Sequence, residues 1–180
     1  MPLKQFLYDI AETVFSSVAV LLVLYMTIAL PEMVWGSSME PNFYTNERIL
    51  VERVTKYFKP YQRGEIVVFV PEGESRHLIK RIVGVPGDVF KIFNCDVYVS
   101  TGGERFKLVE SYLGDSICTE GGNELKEGRS IKLQEDEYVL LGDNRGVSLD
   151  SRVFGIVKKN KIIGRVIFRF WPISKIGFVI

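Results

Sequence analysis

The chain has 180 residues, 47% hydrophobic and 25% charged, enough for one medium domain or for a smaller domain plus an anchor. Its 23 Lys/Arg against 22 Asp/Glu leave a net charge of +1 with no dense basic cluster, so nucleic acid is not an expected partner. Cys95 and Cys118 lack metal-ligand spacing and the single histidine, His77, is distant in sequence, so no metal and no other cofactor are expected.

Residues 1–12 read as a short tail carrying Lys4, Asp9 and Glu12. Thr13 to Leu30 then runs without a charge. As a helix it spans roughly 27 Å, close to the thickness of a bilayer core. A buried core helix would show a polar face, and a signal-peptide apolar region is usually shorter. The segment is therefore read as a transmembrane anchor over 13–30, ended by Pro31 and Glu32, with Tyr25 and Trp35 as interfacial aromatics. The charges flanking it lean only slightly toward a cytoplasmic N-terminus.

After Trp35 the chain becomes a series of short β-type runs. Strands are expected at Arg48–Val54, Glu65–Val70, Leu78–Val85, Val89–Val99, Tyr138–Leu141 and Lys161–Trp171, separated by Gly, Pro, Asn and Asp. Together they predict a mainly β fold over 31–180, an antiparallel sheet or barrel-like domain behind an N-terminal transmembrane helix. From about 93 to 135 the pattern weakens, and a peripheral hairpin and loop insertion is expected. It contains both cysteines, which pair as a disulfide outside the cytosol or stay as two free thiols.

Two short stretches carry the chemistry. Gly36-Ser37-Ser38-Met39-Glu40-Pro41 presents serines in a Gly- and Pro-bounded turn, and Lys80 sits in the apolar run Leu78-Ile79-Lys80-Arg81-Ile82-Val83. Strand alternation places Leu78 and Ile82 on the face of Lys80, with Ile79, Arg81 and Val83 on the other. An ordinary lysine titrates near 10.4, and to act as a base its pKa must fall to about 7–8, which burial can achieve. The competing reading is an edge-strand lysine whose stem covers the core while its head reaches water. Ser38 is likewise either a nucleophile or a turn residue, with Ser37 as a rival. Its N–H is a candidate oxyanion donor. Gly142 to Arg152 is dense in turn formers and reads as a polar loop or as the brace of a site, with Asp150 and Arg152 as a candidate pair. His77 lies in a charged stretch, which disfavours a Ser-His-Asp triad.

Taken together these residues resemble the type I signal peptidases, membrane-bound serine–lysine proteases that remove signal peptides from exported proteins. The motifs are Ser38-Met39-Glu40-Pro41, Arg63-Gly64-Glu65-Ile66-Val67-Val68-Phe69, Lys80-Arg81-Ile82-Val83-Gly84-Val85-Pro86-Gly87-Asp88, Gly142 to Arg152, and Arg169-Phe170-Trp171-Pro172. They fall in the family's order and cover nearly the whole chain. The resemblance implies Ser38 as nucleophile, Lys80 as general base, and Ser148 as the group that orients the lysine amine. Asp143, Asp150 and Arg152 would support the site. Val34, Met39, Phe43, Leu78 and Ile79 are taken by position as lining pockets for the small side chains of Ala-x-Ala-like cleavage sites.

The implied partners are signal peptides of exported preproteins and the lipid bilayer, near the secretion translocon. The catalytic domain would lie on the extracytoplasmic side of the plasma membrane. Two positions depart from the pattern. Gly36 stands where some members carry a hydroxyl donor to the oxyanion, and Gly146-Val147 replaces the commoner Asp-Asn. Alternatives are a specialised pilin, conjugation or organellar processing peptidase, and a silent anchored peptide-binding module. A self-cleaving repressor would share the chemistry but lack the anchor.

Overall fold

Helix α1 (Leu3–Ile28) opens the chain. This computed structural model describes residues 3–114 and 117–179, with the backbone alone at 24–27, so the side chain of Tyr25 lies outside the described residues. Every side chain from Leu3 to Val23 is exposed, and this apolar stretch is long enough to cross a membrane. A buried core helix is thereby excluded, because among the described residues none of the side chains from Leu3 to Val23 is buried. The helix differs from expectation at both ends. Residues 3–12, expected as a tail, form its first turns, while Ala29 and Leu30 leave it for strand β1 (Ala29–Met33). Pro31 disfavours helical geometry at Leu30, and β1 instead pairs with β2 (Arg48–Glu52) from Ala29↔Glu52 to Met33↔Arg48. Pro31 is tolerated in β1 because this is an edge strand.

The main sheet is completed by β3 (Ile66–Phe69), β4 (Leu78–Gly84), β9 (Glu137–Leu141), β10 (Val157–Lys158), β11 (Ile162–Trp171) and β12 (Gly177–Phe178). Its order is β1-β2-β11-β3-β4-β9-β10, with β12 added beside β11 and every pairing antiparallel. The mainly β architecture expected from the short alternating runs is the one that forms. The sheet curls into a half-barrel around Val34, Met39, Phe43, Ile49, Val51, Ile66, Val68, Ile79 and Val166. On its other side Tyr61, Val67, Phe69, Ile82, Tyr138 and Leu140 form a second cluster, against which Leu78 packs. Leu78 and Ile82 thus share a face and Ile79 takes the other, as strand alternation requires.

The stretch Val89–Val99 was expected as one strand and is a hairpin. Strands β5 (Val89–Phe93) and β6 (Asp96–Thr101) are joined through Asn94 and Cys95, both at positive φ (51° and 67°). That two-residue conformation turns the chain back on itself with the twist that paired strands need. With β7 (Glu104–Lys107) and β8 (Ser130–Lys132) they make a four-stranded sheet in the order β7-β6-β5-β8. The region expected as a hairpin and loop insertion therefore holds paired strands that share a core with the main sheet. Phe90, Ile92, Val97, Val99, Leu125 and Leu133 pack there against Val83, Val139 and Leu141 of the main sheet.

Cys95 and Cys118 form a disulfide, 23 residues apart in sequence. Closing a loop of that size restricts the unfolded chain by about 3 kcal/mol. Cys118→Ser is expected to lose about that much stability, read as a lower urea midpoint, and reductant should move the wild-type chain to the same value.

Candidate active site

Ser38 lies in the turn that leaves the end of β1. Gly36 adopts φ +80°, a conformation that suits glycine, and a Cβ there would meet nothing within 4 Å, so backbone geometry rather than space requires it. The turn is closed by Glu40 N–H on Ser37 O (3.1 Å) and Phe43 N–H on Met39 O (2.8 Å). Met39 and Phe43, fully buried, fasten it to the half-barrel core.

Lys80 is on β4, whose residues 78–81 pair with β3 on one side. On the other side β9 begins pairing only at Arg81, so 78–80 leave that edge open. Lys80 is 2% exposed, and its Nζ lies 2.7 Å from Ser38 Oγ and 2.8 Å from Ile79 O. The snorkelling arrangement is excluded. Burial lowers the Lys80 pKa from 10.5 to about 8, against the opposing pull of Asp150 and Asp143. The amine is thus neutral in a large fraction of molecules near pH 8. It can then accept the Ser38 hydroxyl proton across a contact already at hydrogen-bond length.

The loop after β9 brings up the remaining polar groups. Asp143 is clasped by Arg81, Nε to Oδ1 at 2.8 Å and Nη2 to Oδ2 at 2.7 Å, with side chains 6% and 0% exposed. Arg81 thus uses the face opposite Lys80 to reach a carboxylate. Asp150 caps α2 (Ser151–Phe154), accepting from Arg152 N–H, and holds the Arg152 guanidinium with both oxygens at 2.9 Å. It also takes the Gly142 N–H at 3.0 Å. Removing a carboxylate from such a buried pair strands a charge. Asp143→Ala is therefore expected to cost about 3–5 kcal/mol, measured by urea denaturation in detergent.

Ser148 comes into the site but not onto the lysine. Its Oγ is buried and has no hydrogen-bond partner among the described residues. It sits over Gly142, where a Cβ would fall 2.1 Å from that oxygen and 2.5 Å from Ser38 O. Among the described residues the acceptors of Lys80 are Ser38 and Ile79, and Ser148, expected to orient the amine, is not one of them. Of the residues expected to line substrate pockets, Val34, Leu78 and Ile79 line a cleft of about 600 Å³, together with Gly36, Ile49 and Val68. Met39 and Phe43 do not line it. His77 bonds Glu32 at 2.6 Å on the cleft wall, and no His77 contact to Ser38 occurs among the described residues.

Sequence reasoning missed two asparagines. Asn144 N–H donates to Ser38 O (3.0 Å) and its Nδ2 to Ser37 O (3.1 Å), hanging the serine turn from the loop. Asn42 Nδ2 donates to Asp143 Oδ2 (2.8 Å). Asn144 stood inside a quoted motif and was assigned no role. Asn42 had no local signal. The Ser38 N–H has no acceptor among the described residues and remains available to an oxyanion.

The chain is similar in sequence to known proteins. The family described as "Signal peptidase, peptidase S26" matches residues 7–171. A "Probable signal peptidase I-2" of Synechocystis is 33% identical over 95% of this chain and 76% of its own length. "Signal peptidase I" of Bacillus amyloliquefaciens is 33% identical over 96% of this chain and 92% of its own. A solved signal peptidase I from Enterococcus faecalis aligns with 60% of this chain and 97% of its own at 25% identity, with a TM-score of 0.48. With the family match spanning nearly the whole chain, and relatives this similar over almost all of it, the protein belongs to the signal peptidase family S26.

Proposed function

We propose that the chain is a membrane-anchored endopeptidase that removes signal peptides from exported preproteins, with Ser38 as nucleophile and Lys80 as general base. The observation that carries this reading is the 2.7 Å contact between a buried lysine amine and the Ser38 hydroxyl. Lys80 takes the hydroxyl proton as Oγ attacks the scissile carbonyl, and gives it to the departing amine. Water, deprotonated by the same amine, then resolves the acyl-enzyme. The Ser38 N–H stabilises the oxyanion, since Gly36 brings no hydroxyl.

The cleft suits an extended peptide. It runs between the outer edge of β1 and the open edge of β4 at 78–80, so a substrate strand can pair with both. Its apolar lining of Val34, Ile49, Val68, Leu78 and Ile79 fits small side chains, in accord with Ala-x-Ala-like sites. Anchoring through α1 holds the enzyme beside substrates that are themselves membrane-held, near the translocon, which raises their effective concentration. The disulfide supports a catalytic domain on the extracytoplasmic side of the plasma membrane, and no cofactor enters the reaction. The test is a single cut after Ala-x-Ala in a preprotein by detergent-solubilised enzyme. No cleavage by well-folded enzyme would sink the proposal.

A further inference from the structure

After β7, Leu108 N–H donates to Val97 O (2.8 Å) and Thr119 N–H donates to Cys95 O (3.0 Å), tying the chain to the four-stranded sheet at both points. The disulfide reinforces the second attachment. Between these points Glu110 reaches the loop that carries Asp143, and Tyr112 reaches residues that hold Asp143.

Glu110 receives the Arg145 guanidinium on both carboxylate oxygens, Nη1 at 3.1 Å and Nη2 on the other, and the Arg145 side chain is wholly buried. Arg145 also donates to Thr119 Oγ1 and, through Nε, to Gly142 O at 3.0 Å. Tyr112 donates its hydroxyl to Glu110. The Tyr112 ring lies 3.9 Å from the Arg81 guanidinium carbon, and its carbonyl accepts from Asn42 Nδ2 at 2.9 Å. Arg81 and Asn42 are the two residues whose side chains hold the Asp143 carboxylate. Tyr112 therefore touches both. The next residue, Asn144, suspends the carbonyls of Ser37 and Ser38. A cation stacked on a ring in a site largely shut from water is held more firmly than an exposed one.

We propose that Tyr112 is a positioning residue for the Ser38–Lys80 pair, acting through Arg81, Asn42 and Asp143, with Glu110 holding Arg145 in the same loop. The inference rests on the reading of Ser38 and Lys80 as the catalytic pair. Tyr112 does not line the peptide cleft, so its loss acts on kcat and not on KM. A displacement of about 1 Å in a reacting group lowers rate by roughly a hundredfold.

The experiment measures kcat and KM on an Ala-x-Ala preprotein for the full chain carrying Tyr112→Leu, Tyr112→Phe, Glu110→Gln or Ser38→Ala. Thermal denaturation gives the folded fraction for each. Tyr112→Leu is expected to lower kcat per folded molecule roughly tenfold to a hundredfold with KM within about twofold. Tyr112→Phe, which keeps the ring on Arg81, should recover most of the rate. If Tyr112→Leu fails to fold, Glu110→Gln reads the same effect through Arg145. Wild-type kcat in folded Tyr112→Leu or Glu110→Gln, or a change confined to KM or to melting temperature, overturns the inference. Cleavage that survives Ser38→Ala instead overturns the catalytic pair itself, whatever the Tyr112 variants do.

Discussion

Ser38→Ala and Lys80→Ala are each expected to lower kcat/KM on an Ala-x-Ala preprotein by about 10⁴-fold or more, and the double variant by no further factor. In the proposed mechanism the two groups act as one unit, because the hydroxyl is a weak nucleophile until the amine 2.7 Å away takes its proton. Lys80→Arg should be as inactive as Lys80→Ala. Its guanidinium remains charged throughout the accessible pH range and cannot accept the proton. Substrate binding should persist in Ser38→Ala, since Val34, Leu78, Ile79 and the open strand edges are untouched. Cleavage by initial rate and binding by equilibrium titration measure the two separately. Retained cleavage in Lys80→Ala would assign the base to another group.

The pH dependence should follow the same amine in two independent readouts. Only neutral Lys80 is a base, so kcat/KM is expected to rise about tenfold per pH unit below pH 8 and to level off above it, with Lys80 at about 8. The stability effect has the opposite origin. Folding depresses the Lys80 pKa from 10.5 to about 8, so between these values the unfolded chain binds the extra proton and stability rises with pH. Below pH 8 the ammonium is charged in both states, and its burial costs about 3 kcal/mol. Lys80→Met should therefore be more stable than wild type by up to that amount at pH 7, with the difference shrinking from pH 8 toward 10.5. Burial also raises the pKa values of Tyr61 and Tyr112, which destabilises both proteins above pH 10. Taking the difference between the two removes that contribution. Identical stability profiles for wild type and Lys80→Met would mean that the amine is solvated.

Part of the candidate site was legible because its signals are local. Taken alone, Ser38 read equally as a turn residue and Lys80 as a lysine reaching water, and it was the ordered set of motifs that singled both out. Asp150 and Arg152 are two residues apart, and that short spacing is the pair observed. Longer reach defeats such reading. Arg81 and Asp143 are 62 residues apart, Asn42 and Asp143 101, and Arg145 and Glu110 35. The unpaired hydroxyl of Ser148 and the burial of Met39 and Phe43 beneath the cleft depend on how the serine turn and the loop after β9 stack on one another.

The sequence by itself determined the elements whose physics is periodic or local. These are an apolar stretch able to cross a bilayer, the alternating runs that make strands, and the turn chemistry at Gly36. It also contained the motifs that place the chain in its family. The tertiary structure decided where the apolar N-terminal helix ends, because Ala29 and Leu30 gain strand partners on β2 that lie beyond any local window. It decided that Val89–Val99 folds back at Asn94 and Cys95, and that Cys95 meets Cys118. It also brought a lysine to a serine 42 residues earlier, in surroundings dry enough to lower its pKa. Strand order and register set those distances and that desolvation. Both arise from the simultaneous packing of segments far apart in the chain, which no single stretch of residues specifies.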